Sequence, residues 1–461
     1  MIRRFRFEVF AVLAVVWIVS AWPMAASGQA SGLASGPMSE TEDLIGVYRL
    51  ALDADPRLRG QQFEVDALRE QRREDLARLL PSVSLSGDVS RTRRDQIQSG
   101  LTGEDELTRD FTRSSYRIGL RQPLYDGPAR YRLRVGDSEV DRGLAQLEAE
   151  RQVLVARVAE AYLNALGAQS AVELSRRELA AIEASRERVE ALYEERMAAL
   201  TDLEEIRARR DRTHASLIRA EGDLVVALER LAEITDRPHV RLAPLNAGAE
   251  LPALDTDGGE VWIERALTEN PEIRAARQRV ESSEMQIRAA RAQHHPNLDL
   301  VASYSYLDDL DGTPFGRKLE DLAVGVELRI PLYAGGGIRA GVRGARSVRE
   351  RDRESLEEVR RRVRAEVRTA YHALQIGRTE IQALQQAVRS SERGLEAVET
   401  GLQVGLRTVV DVLDAQRDLF GTRRELVQAR HEYVLNFLAL KRAAGVLDEQ
   451  DILTINDLLA R

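Results

Sequence analysis

Two periodicities divide the chain. Over 82–90, Val83, Leu85, Gly87 and Val89 alternate with serines and Asp88. Over 114–122, Tyr116, Ile118 and Leu120 alternate with Arg117, Gly119 and Arg121. Over 297–306, Leu298, Leu300, Ala302, Tyr304 and Tyr306 alternate with Asn297, Asp299 and two serines. Over 322–330, Leu322, Val324, Val326, Leu328 and Ile330 share one face, and Ala323, Gly325, Glu327 and Arg329 share the other. A period of two marks a strand with one apolar and one wet face. The pattern predicts strands at about 82–92, 113–125, 297–307 and 319–333. The second periodicity is three-and-four. Leu356, Val359, Val363 and Val367, then Leu384, Val388, Leu395, Val398 and Leu402, form narrow apolar seams among Arg, Glu and Gln. Such seams suit contact between neighbouring helices rather than burial in one thick core. No proline interrupts the stretch from Gly337 to Val404, which at ~1.5 Å per residue is about 100 Å of helix.

The whole pattern occurs twice. Two prolines bracket a helical stretch in each copy, Pro56 with Pro81 and Pro271 with Pro296. RQPLYDG at 121–127 echoes RIPLYAGG at 329–336, and EAYLNAL at 160–166 echoes TAYHALQ at 369–375. ALTDLEEI at 199–206 echoes TVVDVLDA at 408–415, setting Asp202 opposite Asp411. The offset is 215 residues early and 208 or 209 later. So many matches in one order identify an internal duplication. The first copy is expected at 31–237 with long helices at about 129–235. A Pro- and Gly-rich linker follows at 238–260. The second copy is expected at 261–461 with long helices at about 337–445. Each long helical stretch breaks near its middle. The break in the second copy, VGLRTVVDVLDAQ at 404–416, carries Asp411 and Asp414 on one helix face.

Composition narrows the chemistry. The net charge is −8, so no basic excess exists to neutralise phosphates and no nucleic-acid partner is expected. Of 67 basic residues only Lys318 and Lys441 are lysines, a bias we read as codon usage. There is no cysteine, which removes disulfides, thiolate metal sites and cysteine nucleophiles. The six histidines lack the i, i+4 spacing of a helical metal site. AGGGIRAG at 334–341 is glycine-rich but lacks the Lys-Ser/Thr signature of a phosphate loop. No catalytic residue, metal or cofactor is expected, and the protein is not read as an enzyme.

Residues 1–30 read as a cleavable secretory signal peptide. Arg3, Arg4 and Arg6 precede an apolar stretch and the small-residue region MAASGQASG. In an exported protein the alternating strands acquire a second reading. A half-exposed soluble sheet gives the same pattern, but four such strands also match the dyad repeat of outer-membrane barrels. Tyr125, Tyr304, Tyr306 and Tyr333 would then supply interfacial aromatics. Four strands cannot close around a pore, and an open edge in lipid leaves backbone groups without partners. A membrane reading therefore demands several copies, and three would give a twelve-stranded barrel. The helices alone also fit a soluble coiled coil, and a periplasmic adaptor or scaffold is the competing class.

The sequence resembles the TolC family of outer-membrane channel proteins from about Thr41 to Leu459. The most specific stretches are VGLRTVVDVLDAQRDLF at 404–420 and AAGVLDEQDILTINDLL at 443–459. LPSVSLSG with RQPLYDG, and HPNLDL with RIPLYAGG, add support at the strand ends. The resemblance implies a mainly α homotrimer in which each subunit gives four strands to a twelve-stranded β-barrel in outer-membrane lipid. An α-helical barrel would project into the periplasm. A periplasmic adaptor and an inner-membrane RND or ABC pump would dock there, making an exit duct for drugs, toxic compounds or secreted polypeptides. It places Asp411 and Asp414 at the narrow periplasmic entrance, as two rings of carboxylates. It makes Arg407 a gate-closing residue, with Thr201 and Asp202 in its partner region. Two positions depart from the family pattern. Leu402 stands where a tyrosine is frequent, and Arg196 stands where glycine is usual.

Overall fold

A computed structural model describes residues 41–100, 103–246, 249–252, 258–309 and 317–459. The expected signal peptide lies outside the described residues. The first copy runs α1 (Leu44–Ala54), α2 (Pro56–Ala77), β1 (Ser82–Gly100), β2 (Gly103–Tyr125), α3 (Gly127–Glu194) and α4 (Leu200–Thr235). The second runs α5 (Gly259–Glu269), α6 (Pro271–Ala292), β3 (Asn297–Asp309), β4 (Arg317–Arg329), α7 (Gly337–Gln403) and α8 (Val409–Ala444). A short α9 (Glu449–Asn456) follows.

Local chemistry fixes the helix starts. Asp55 Oδ1 accepts the Leu58 N–H at 2.7 Å, with Pro56 at the first helical position. Asn270 Oδ1 accepts the N–H groups of Glu272 and Ile273 in the same way, with Pro271 behind it. Asp126 caps α3 through the Ala129 N–H at 2.8 Å. A side-chain acceptor satisfies an otherwise orphaned donor, and proline tolerates the first turn because its missing N–H has no partner there.

The four strands form one antiparallel sheet in the order β1-β2-β3-β4. Its register places the apolar positions side by side. Leu85 pairs with Ile118, Ile118 with Tyr304, and Tyr304 with Leu322. One continuous apolar face results, and among the described residues nothing covers it: Leu85 is 74% exposed and Leu322 is 76% exposed. The other face carries charge, including an Arg121–Asp299 ion pair at 2.5 Å. The first hairpin runs further than the expected 82–92 and 113–125. Beyond Thr92 the alternation dissolves into polar residues, yet the ladder continues to Gly100↔Gly103, because backbone pairing does not need an apolar face. β4 ends at Arg329 rather than at 333, since Pro331 has no N–H to donate.

Three apolar clusters hold the helices. The first joins α1, α3, α4, α8 and α9 through Leu44, Leu154, Val158, Tyr162, Leu231, Val434 and Ile452. The second joins α5, α7 and α8 through Trp262, Val363, Val367, Leu374, Tyr433 and Leu440. The third lies near the far helix ends and is described below. The segment after α4 is stitched across the first cluster. Leu242 bridges to Glu42 and Leu245 bridges to Leu459. The Tyr162 hydroxyl donates to the Glu42 and Ala243 carbonyls at 3.0 and 3.2 Å. Gln169 exchanges two hydrogen bonds with the Leu242 backbone. His239 is buried between Glu42 and Thr235.

Candidate functional site at the helix-hairpin tips

Residues 195–199 join α3 to α4, and residues 404–408 join α7 to α8. Each turn needs one left-handed residue. Arg196 (φ 65°) fills that role in the first copy and Gly405 (φ 74°) in the second. Each turn then closes back on its helix. The Met197 N–H donates to the Leu192 carbonyl at 2.7 Å, and the Leu406 N–H donates to the Gly401 carbonyl at 2.8 Å. This is the Schellman arrangement, which satisfies the orphaned carbonyls of a helix end. A Cβ on Gly401 would lie 2.7 Å from the Arg407 Cγ, so glycine is what lets the second turn fold back so closely.

The two helices leaving the turns start differently. Thr408 and Asp411 form a full capping box. The Thr408 hydroxyl accepts the Asp411 N–H at 3.2 Å, and Asp411 Oδ2 accepts the Thr408 N–H at 2.8 Å and its hydroxyl at 3.0 Å. These donors, the backbone N–H first and the hydroxyl second, hold the Asp411 carboxyl below the usual aspartate range, helped by the nearby Arg407 charge. In the first copy Ala199 stands at the cap position and has no side-chain acceptor. Only half a box survives, with Asp202 Oδ2 accepting the Ala199 N–H at 3.3 Å.

The hairpins are bound to each other below the turns. Ile182 and Val189 of α3, Leu203 and Ile206 of α4, and Leu413 of α8 form a buried cluster. Full burial of one such side chain contributes roughly 1.5–3 kcal/mol. Beside it, Arg209 of α4 crosses to α8. Its Nη2 donates to the Leu413 carbonyl at 3.1 Å and lies 3.8 Å from Asp414 Oδ1. Arg417 approaches the same carboxylate at 3.6 Å. Glu178 on α3, raised by burial, is drawn back by the charges of Arg424 and Arg209.

The fold thus brings Asp411 and Asp414 to the start of α8, one committed to the cap and the other flanked by two arginines. Arg407 is exposed on the turn, and Thr201 is exposed at the start of α4. The Arg407 N–H donates to the Gly401 carbonyl at 3.2 Å, and among the described residues its side chain makes no hydrogen bond or ion pair, so it does not meet Thr201 or Asp202 within the chain. Thr408 and Arg209 were not singled out by sequence reasoning. The first was readable, because TVVD at 408–411 spells a capping box. The second was not, because its partner is a backbone carbonyl far along the chain. Among the described residues no cluster of His, Asp and Glu could hold a metal ion, and no helix is long and apolar enough to cross a membrane.

Comparison with known proteins bears on this geometry. A family model described as outer membrane efflux protein matches residues 47–236 and 262–446. The outer membrane protein TolC of Vibrio cholerae serotype O1 is 32% identical, over 90% of this chain and 93% of the relative. The alkaline protease secretion protein AprF of Pseudomonas aeruginosa is 29% identical, over 89% of this chain and 85% of the relative. Among solved structures, CusC superposes with a TM-score of 0.75 at 21% identity, covering 88% of this chain and 92% of that one. The Campylobacter jejuni CmeC outer membrane channel does so at 0.74 and 16% identity, covering 91% of this chain and 90% of that one. A continuous lipid-type sheet face, long paired helices and a family match over both copies agree: the chain belongs to the outer membrane efflux protein family.

Proposed function

We infer that this protein is an outer-membrane exit duct, passively conducting what a pump and an adaptor hand to it. One observation carries the reading: an apolar sheet face that spans all four strands and is uncovered among the described residues. In water such a face is a liability; in lipid it is the required exterior of a barrel. The outer edges of β1 and β4 then need partners, because lipid offers none. Three copies closing a twelve-stranded barrel supply them. The long helices, charged outside their seams, continue the tube into the periplasm as an α-helical barrel.

The relatives are named for efflux and for protease secretion, and we place this chain in a tripartite efflux or type I secretion system. Its partners are two more copies of itself, a periplasmic adaptor and an inner-membrane RND or ABC pump. Its cargo is drugs, toxic compounds or secreted polypeptides. The hairpin tips form the periplasmic entrance. There Asp411 and Asp414 make two stacked carboxylate rings that favour cations. Arg407, whose side chain has no partner among the described residues of its own chain, reaches the Thr201–Asp202 start of α4 in a neighbouring copy and keeps the entrance shut. Leu402 offers no hydroxyl to that lock, so the resting state is held with one fewer contact.

Single-channel recording in planar bilayers tests this reading. The full-length mature protein should give small, cation-selective steps. Asp411→Ala/Asp414→Ala should lose selectivity several-fold, and Arg407→Ala should enlarge the steps. Protein that stays soluble without detergent and never inserts would overturn the duct. Insertion with unchanged selectivity in the double variant would remove the acids from the entrance.

A further inference from the structure

At one level of the long helices the two copies carry opposite charge. In the second copy a bridge ties the start of α6 to α7. Arg362 on α7 lies 2.5 Å from Glu272 on α6 and 3.8 Å from Glu366, so two acids share one arginine. Aligning Pro56 with Pro271 and Tyr162 with Tyr371 puts Arg57 at the place of Glu272, Arg157 at that of Glu366 and Val153 at that of Arg362. In the first copy the two acids are thus arginines, and the side chain that bridges them is apolar. Among the described residues no acid takes over the bridge, and the Arg57 side chain has no partner.

A cavity of about 290 Å³ lies at this place, between the start of α2, the middle of α3 and the end of α4, and Arg57, Arg157 and Arg230 line it. Arg157 holds the buried Asp55 carboxylate with Nη2 at 2.7 Å. Its Nε is buried and donates to no acceptor among the described residues. A buried donor on a cation is costly to leave without an acceptor. Arg230 also lacks a partner there. Three guanidinium groups and one orphaned N–H call for an oxyanion. Glu160 and Glu233 line the cavity too, and neither forms an ion pair among the described residues. Their charges weaken the positive field, which favours a singly charged carboxylate over a doubly charged phosphate. Ala161, Ala227 and Ile234 complete the wall and suit an apolar remainder.

We propose that this cavity binds the carboxylate of a small organic acid, with Arg157 Nε, Arg57 and Arg230 as its donors. The ligand then does for the first copy what Arg362 does for the second, and joins α2, α3 and α4 through one shared charge. The site borders the belt around Tyr162, which follows Ala161 directly on α3 and whose hydroxyl holds the Glu42 and Ala243 carbonyls. A bound acid therefore stiffens the level at which the chain ends are stitched to the long helices.

Isothermal titration calorimetry on the full-length mature protein in detergent tests this site, with butyrate, its neutral isostere butyramide and inorganic phosphate as probes. Butyrate should give saturable heat, butyramide none, and phosphate a weaker response. Two variants locate the binding, and circular dichroism checks that both fold. Arg230→Gln removes a side chain with no partner to lose, and should weaken butyrate roughly tenfold or more. Val153→Glu supplies an acid from the position of Arg362, and should abolish butyrate binding by filling the site from within the chain. No heat with butyrate would mean that the cavity holds water alone and would overturn the site. Equal butyrate binding by both variants and the unaltered chain would place the ligand elsewhere. Butyramide matching butyrate, or phosphate binding more tightly, would overturn the carboxylate assignment.

Discussion

The two copies place left-handed residues at equivalent positions and fill them differently. The first copy uses Arg196 at its tip and Asp236 after α4; the second uses Gly405 and Gly445. At the helix ends the reason is spatial. A Cβ on Gly445 would lie 2.4 Å from the Asn270 Cα and 2.8 Å from its nitrogen. Asn270 itself is buried and gives its amide to the Ala443 carbonyl at 2.9 Å. The end of α8 is thus docked on the start of α6, whereas Asp236 is exposed. Aspartate tolerates the left-handed region when nothing crowds it. Duplication supplied one backbone plan, and after α4 and α8 packing decided which copy needed glycine, whereas at the tip Gly405 faces open space.

This contrast is broken most forcefully at Gly445. Gly445→Ala combines a disfavoured φ with a backbone clash and should cost roughly 3 kcal/mol or more, lowering the thermal midpoint in detergent by several degrees. Asp236→Ala should cost markedly less. Equal losses would remove packing as the explanation.

A second difference is protonic. His431 on α8 is buried against Gly167 of α3, while its first-copy counterpart, Gly222, faces open space. Burial, then the Arg430 charge, lowers His431 from 6.5 to about 4. An unfolded chain binds this proton first as pH falls, so stability should decline between about pH 6.5 and 4, by about 3 kcal/mol in all. Denaturant titration across that window reads the loss. His431→Gln should flatten the slope there, and an unchanged slope would assign the acid sensitivity elsewhere.

Next in size is the tie between the hairpins. Arg209→Ala removes a charge-assisted hydrogen bond to Leu413, of roughly 1.5–3 kcal/mol. Open probability in bilayers should rise about tenfold or more, without the selectivity loss expected of the acidic double variant. Arg209→Lys should fall between. An unaltered open probability would confine Arg209 to packing.

The caps give the smallest effects. Thr408→Ala should cost about 1 kcal/mol. It should also raise the pH at which Asp411 takes up a proton, because a hydrogen-bond donor to its charged form is gone; cation selectivity measured against pH should fail earlier on acidification. Ala199→Thr completes the box that the first copy lacks and should return a similar stability gain. Arg196→Gly relieves a left-handed arginine, worth about 1 kcal/mol.

The sequence carried some of this structure openly. Alternation at Leu322–Leu328 exposes a two-faced strand because its period is local and strict. The duplication is visible because PLY and the flanking prolines mark the same corners twice. The break before Asp411 is visible because glycine and a capping threonine interrupt a long apolar seam. Other features leave no pattern in the local sequence. The strands continue past Thr92 on backbone pairing alone, which leaves no side-chain pattern. The Pro-rich segment after α4 reads as a linker, yet Leu242 and Ala243 are buried, because their partners Glu42, Tyr162 and Gln169 arrive from elsewhere. Arg209 is one arginine among many until α8 presents a carbonyl to it.

The stitched belt around Tyr162 has a mechanical meaning. It clamps the segment at Glu42, the segment after α4 and the end of α9 at one level of the long helices. From Tyr162 to the turn at Arg196 the helix runs about 50 Å at ~1.5 Å per residue. A rigid arm of that length, turning about 5° on the clamp, sweeps its end through about 4 Å, more than the width of a water molecule. In the proposed duct the belt would serve as a fulcrum: fractional adjustments of side chains there would become changes in aperture at the tips, with no helix required to unwind.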